Sequence, residues 1–195
     1  QLMRLRIRNI LSRIELLKRA ERADETEKEL RRSEMDPVSG LFNRNAFIRH
    51  TELLLSKAQP NQYILVRWDI DNFKLYNEVF SSSSGDEYLR QIGDYWSSKD
   101  LEIKPVIACR FDADHFILLV EEKSFDITKM CESLIDCLEN VKTSAFEFVP
   151  RMGLYLIDDP TLDITLMCDC ALLALKSTKN RYGVEYKWFV PSLWV

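Results

Sequence analysis

Apolar residues recur at helical spacing from the first residues of the chain. Met3, Ile7, Ile10, Ile14 and Leu17 follow the four-three alternation of a coiled-coil seam. The stripe then shifts to Leu16, Ala20, Ala23 and Leu30, between Arg- and Glu-rich flanks. This predicts one helix over 2–34. A single amphipathic helix of that length needs a partner to bury its stripe, so a parallel dimer stalk is expected; packing on its own domain is the alternative. Asp36-Pro37-Val38-Ser39-Gly40 breaks the pattern.

Beyond it, Phe47, Ile48, Leu54 and Leu55 predict a helix over 45–58. The near-continuous apolar run from Tyr63 to Ile70 reads as a buried strand. Ser81 to Gly85 reads as a Ser-rich turn, followed by a helix from Asp86 to Ser97 with Leu89, Ile92 and Trp96 on one face. Strands over 105–110 and 115–120 enclose Phe111-Asp112-Ala113-Asp114, a hairpin with an acidic tip. A helix over 126–141, a strand over 146–157, a helix over 163–178 and a last strand from Val184 to Val190 complete the pattern. Alternating strands and helices predict an α/β domain whose helices cover a mixed sheet. The expected division is a helix over 1–35 and a globular domain over 36–195.

Charge sharpens that division. Residues 1–35 carry ten Lys and Arg against seven Asp and Glu, whereas residues 36–195 carry 17 against 24. A domain of net charge −7 is a poor binder of nucleic acid, which requires a basic face. The five cysteines, Cys109, Cys131, Cys137, Cys168 and Cys170, match no paired zinc spacing and lie mostly in apolar segments, as reduced thiols of a cytoplasmic protein do. No apolar run is long enough to span a bilayer and no signal peptide is recognisable. The start at Gln1 rather than Met points to a piece of a longer protein. The basic first 22 residues fit the cytoplasmic segment of a membrane-anchored sensor and fit a solvated coiled coil equally well.

Two acidic pairs are the candidate chemistry. Asp69 and Asp71 end the first strand, and Asp112 and Asp114 sit at the hairpin tip. If these strands are neighbours, four carboxylates converge, and they repel unless a cation or a shared proton joins them. Oxygen-rich sites suit Mg²⁺ or Mn²⁺ beside substrate phosphates, and such a layout serves nucleotidyl transfer. The alternative is that these residues cap helices and solvate turns.

Four stretches, in order, resemble the signature of GGDEF domains, the diguanylate cyclase family. Asp36-Pro37-Val38-Ser39-Gly40-Leu41-Phe42-Asn43-Arg44 is similar to the opening DPLTGLPNR-type motif. Asp69-Ile70-Asp71-Asn72-Phe73-Lys74-Leu75-Tyr76-Asn77-Glu78 resembles DIDxFKxxND, and Gly85-Asp86 follows at the family's interval. Arg110-Phe111-Asp112-Ala113-Asp114-His115-Phe116 falls where the family has RYGGDEF, and Cys168-Asp169-Cys170-Ala171-Leu172 with Lys176 resembles its ADxALxxAK helix. The resemblance implies a palm-like nucleotidyl-cyclase fold behind a coiled-coil helix driven by an upstream sensory domain. It implies a homodimer that condenses two GTP into cyclic di-GMP with Mg²⁺. It places metal ligands at Asp69, the Ile70 carbonyl and Asp114, guanine readers at Asn77 and Asp86, and phosphate-side lysines at Lys74 and Lys176.

The departures fall in the catalytic half. Asp112 and Ala113 replace the two glycines, and Asp112 adds a charge whose repulsion at about 5 Å costs on the order of 3 kcal/mol, or which instead attracts a metal. His115 stands beside Asp114 in place of the second catalytic acid, and a nitrogen ligand suits Mg²⁺ poorly. Ser81 and Ser82 replace Gly-His. Asn180 stands where a phosphate-side Arg is usual, with Arg181 one residue later. Arg151 stands in place of a small Ser. Ile103-Lys104-Pro105-Val106 lacks the RxxD of the product-binding site. The expectation is a degenerate GGDEF module without cyclase activity, acting through GTP or through dimerisation. An active diguanylate cyclase with an unusual signature is the alternative.

Overall fold

A computed structural model describes residues 2–140, 148–178 and 185–194, without the side chains of 2–12, 140 and 185. The expectations on residues 146–147, Asn180, Arg181 and Val184, and on the side chains of Met3, Ile7 and Ile10, lie outside these residues. The chain divides into two units, Gln1–Met35 and Asp36–Val195. The first is α1 (Leu2–Glu34), the predicted long helix. Within it Ile14, Leu16, Leu17 and Leu30 are exposed, and the solvated faces carry ion pairs such as Lys28–Asp24 at 2.6 Å. No helix among the described residues is long and apolar enough to cross a membrane.

The second unit contains α2 (Arg44–Leu55), β1 (Tyr63–Ile70), α3 (Phe73–Phe80), α4 (Ser82–Ser97), β2 (Ile107–Asp112), β3 (His115–Glu121), α5 (Ile127–Asn140), β4 (Pro150–Leu156), α6 (Ile164–Lys176) and β5 (Glu185–Trp188). The strands form one mixed sheet in the order β2-β3-β1-β4-β5, antiparallel except for the β4–β5 pair. The palm-like α/β architecture expected from the motifs is present. β1 lies at the centre, which is why its sequence is apolar almost throughout: both faces are covered. Ile64, Val66, Trp68 and Ile70 pack with Tyr76 of α3, Leu89 and Ile92 of α4, and Leu134 of α5. Tyr63 and Leu65 point the other way, into a second core with Phe47 of α2 and Met167 and Ala171 of α6. The period of two therefore sends Arg67 and Asp69 toward the α2/α6 face.

Two local readings change. Ser81–Gly85 is the start of α4 rather than a free turn: the Ser81 hydroxyl accepts from the Ser84 amide at 3.4 Å and caps the helix. Between β1 and α4 there is also α3, an eight-residue helix not anticipated in the pattern. Gly153 on β4 lets α6 cross closely, since a Cβ there would lie 2.0 Å from the Ala171 carbonyl oxygen and 2.4 Å from the Leu175 amide nitrogen.

Candidate functional site

The site is built where β1 ends. Ladder hydrogen bonds of β1 alternate sides: the Gln62 carbonyl accepts from Glu122 beyond β3, the Tyr63 carbonyl from Ile157 beyond β4, and the Asp71 amide donates to Val149 on the β4 side. Even-numbered residues thus turn their backbone toward β3. Pairing with β3 stops at Trp68↔Phe116, so the Ile70 carbonyl lies one step past the last rung, facing the Asp114 end of the hairpin. That position is the physical reason this carbonyl can serve a ligand.

Side chains on the α6 face form a row at the same level. Arg151 of β4 stands directly opposite Asp69, and continuing the β1–β3 register one step sets His115 on its other side. Asp69 is largely buried, and one of its carboxylate oxygens has no hydrogen-bond partner among the described residues. Burial pushes its pKa from the ordinary 3.8 up to about 6. His115 and Arg151 pull it down, while Asp114 and Asp71 push it further up. Asp114 and Asp71 are thus near enough to Asp69 for their charges to act on it.

The other two carboxylates are not free members of a cluster. Arg151 donates from Nε and Nη2 to Asp71 Oδ2, at 3.1 and 2.7 Å, and from Nη1 to the Thr178 carbonyl at 2.7 Å. Asp112 lies 3.8 Å from Arg67 Nη2 and 3.7 Å from His115 Nε2. The repulsive charge expected at Asp112 is thus offset from beneath. Arg67 is the reason, a guanidinium with only 5% of its side chain exposed and 4.8 Å from the Phe111 ring centre. Burial lowers its pKa and Asp112 opposes that shift. Its role was missed, although an Arg inside an otherwise apolar buried strand is itself a signal that a partner lies nearby.

The hairpin is anchored to the opening motif. Arg110 donates to Asp36 Oδ1 at 3.1 Å and to the Ala113 carbonyl at 2.7 Å. Asp36 Oδ1 also accepts from the Ser39 amide at 2.8 Å and its hydroxyl at 2.9 Å. Burial would raise the Asp36 pKa, but these bonds outweigh it and hold the carboxyl below its usual range. At the tip Ala113 keeps a positive φ of 38°, the glycine-like conformation of the position it occupies.

The remaining predicted residues lie on helices. Asn77 of α3 reaches the notch left by Gly85 of α4, where a Cβ would sit 1.9 Å from Asn77 Oδ1. That oxygen is buried with no hydrogen-bond partner among the described residues, and Asp86, next to the notch, is exposed. Lys74 is exposed, with only a loose contact to Glu78 at 3.9 Å. Lys176 is exposed at the last turn of α6. No hydrogen bond or ion pair among the described residues joins Asn77 or Asp86 to the strand-end row. A polar cavity of about 300 Å³ is lined by residues of the hairpin and the opening motif, including Asp36, Arg44, Arg110 and Asp112.

The donor set does not suit a magnesium ion. Mg²⁺ requires near-octahedral oxygen ligation. The unpaired Asp69 oxygen, the Ile70 carbonyl and Asp114 favour it, but a guanidinium and an imidazole flank Asp69. No group of three His, Cys, Asp or Glu side chains among the described residues is gathered to hold a metal.

The sequence matches the family described as "Diguanylate cyclase, GGDEF domain" over residues 33–183. Diguanylate cyclase DgcP of Escherichia coli K12 is 31% identical over 102 residues, 51% of this chain and 29% of DgcP. Diguanylate cyclase VdcA of Vibrio cholerae is 34% identical over 94 residues, 48% of this chain and 26% of VdcA. The chain thus spans under a third of the length of these curated relatives. The crystal structure of the coiled coil and GGDEF domain of DgcB from Caulobacter crescentus, in complex with c-di-GMP, matches with a TM-score of 0.69. That match covers 96% of this chain and 100% of that one at 18% identity, a likeness of fold. With four motifs in order, the palm-like sheet and a family match over most of its length, the chain belongs to the GGDEF, diguanylate cyclase domain family.

Proposed function

We propose that this protein is a degenerate GGDEF module of cyclic di-GMP signalling that recognises guanine nucleotide without condensing it. One contrast supports the reading: Asn77 and Asp86 match the positions at which the family reads guanine, while the strand-end row carries His115 and Arg151 around Asp69. The Asn77 amide sits beside Gly85 with a buried oxygen lacking a partner among the described residues. The exposed Asp86 carboxylate can accept from guanine N1–H and its 2-amino group, and an amide can donate to O6. Lys74 and Lys176 offer cations for the phosphates.

In this reading α1 is the signalling stalk. Its exposed Ile14, Leu17 and Leu30 would be covered by the same helix of a second copy, and an upstream sensory domain would drive it. Catalysis fails because His115 cannot supply the oxygen ligand of a carboxylate.

Calorimetric titration with GTP, followed by chromatography for cyclic dinucleotide, tests the proposal. Expected are binding that Asn77→Ala and Asp86→Ala each weaken at least about tenfold, and no product. Absence of GTP binding to millimolar concentration would refute nucleotide recognition. Cyclic dinucleotide made with Mg²⁺ or Mn²⁺, and lost in Asp114→Ala, would make the chain an active cyclase instead.

A further inference from the structure

Arg151 has more to do than fill the place of a small residue. Its guanidinium joins three elements. It is carried by β4, it makes a two-bond contact to Asp71 in the loop after β1, and it donates to the Thr178 carbonyl just past the end of α6. Only 11% of the side chain is exposed, whereas Asp71 is 40% exposed. The carbonyls at a helix C-terminus carry partial negative charge, so the Thr178 contact is a favourable one for a cation. On the ladder, Arg151 stands opposite Asp69. The Gly153 crossing sets the height of α6 over β4 two residues away, which fixes where the Thr178 carbonyl meets the guanidinium. The positive charge is therefore held by three hydrogen bonds at the end of β1, on Asp71 and beside Asp69, the first carboxylate of the metal set that the resemblance implies.

We propose that Arg151 is a built-in cation that takes the place of the divalent metal in this domain, neutralising the Asp69–Asp71 end of β1 and excluding Mg²⁺ and Mn²⁺ from it. Two positive centres cannot share this end of the strand at close range without strong repulsion. A guanidinium has five N–H donors, and three are used here. The inference rests on the reading of a catalytically altered domain, yet its test uses metal alone and no nucleotide. Failure of GTP binding would leave it standing.

The experiment follows bound Mn²⁺ by the loss of the free-ion paramagnetic resonance signal, together with the unfolding temperature, in the unmodified chain, Arg151→Ser and Arg151→Lys. Expected are no saturable Mn²⁺ uptake and no metal-dependent rise in unfolding temperature for the unmodified chain and for Arg151→Lys, which keeps the charge. Arg151→Ser is expected to gain a saturable site at least about tenfold tighter, with an unfolding temperature that rises with Mn²⁺. Saturable Mn²⁺ uptake by the unmodified chain that Asp69→Asn abolishes would overturn the proposal. So would an Arg151→Ser variant that folds and takes up no more Mn²⁺ than Arg151→Lys. Should Arg151→Ser not fold, Arg151→Gln, which keeps a hydrogen-bonding side chain without the charge, is held to the same two outcomes.

Discussion

Ser81 holds φ 106° and ψ 155°, a region of backbone space open essentially to glycine alone. The family carries Gly at this position, and the serine has kept the glycine conformation between α3 and α4. Strain of this kind costs on the order of 1–3 kcal/mol. Restoring the glycine in Ser81→Gly removes it. Two losses oppose the gain. The Ser81 cap on the Ser84 amide is long at 3.4 Å, and Ser to Gly at an N-cap costs only about a few tenths of a kcal/mol. Glycine also adds roughly 0.5–1 kcal/mol of entropy to the unfolded chain. The net expectation is a stabilisation of about 1 kcal/mol, or roughly 2–4 °C in unfolding temperature for a domain of this size. Urea unfolding followed by circular dichroism reads it as a higher midpoint at unchanged slope. Ser81→Ala keeps the Cβ strain and loses the cap, so it moves the opposite way by about 1 kcal/mol. A Ser81→Gly variant no more stable than the parent, or less stable than Ser81→Ala, would refute the strain argument.

Other expectations follow from the same geometry. Burial raises the Asp69 pKa from 3.8 to about 6, so the fold loses stability as pH rises through that window. Asp69→Asn should stabilise the domain above pH 6 by up to about 3 kcal/mol and change little near pH 4, which unfolding curves at the two pH values measure. Asp36 behaves oppositely: its pKa lies below the ordinary 3.8, so its contribution is present above that value and is lost on acidification below it. Asp36→Asn should therefore flatten the acid limb of the stability profile. Asp112→Gly, which restores the family residue, should destabilise by about 2 kcal/mol because buried Arg67 loses its carboxylate. Adding Arg67→Met should recover most of that loss in a double-mutant cycle. Gly153→Ala should cost about 3 kcal/mol in denaturant unfolding, since its Cβ would meet the backbone of α6.

Much of the architecture could be read from spacing. The apolar run 63–70 gave the central strand, because a strand covered on both faces must be apolar almost throughout. Ile127, Met130, Leu134 and Leu138 gave α5 at helical period. The short α3 escaped notice because eight residues show too few turns for a period to emerge. The serine run was misread because Ser serves turns and helix caps alike. The motif order picked out Asp69, Asn77, Asp86 and Asp114 as candidate site residues.

Partner choice among charges was the part that distance along the chain could not supply. Asp71 and Arg151 are eighty residues apart, as are β1 and β4, which the sheet makes neighbours. Asp112 looked like a bare repulsive charge until the period of two, acting with the β2–β3–β1 order, set Arg67 beneath it. Sequence by itself determined which residues could carry charge, cap a helix or face a core, because those properties are local. The tertiary structure alone decided which carboxylate each arginine neutralises, because that depends on strand order and register, and so on contacts between segments far apart in the chain.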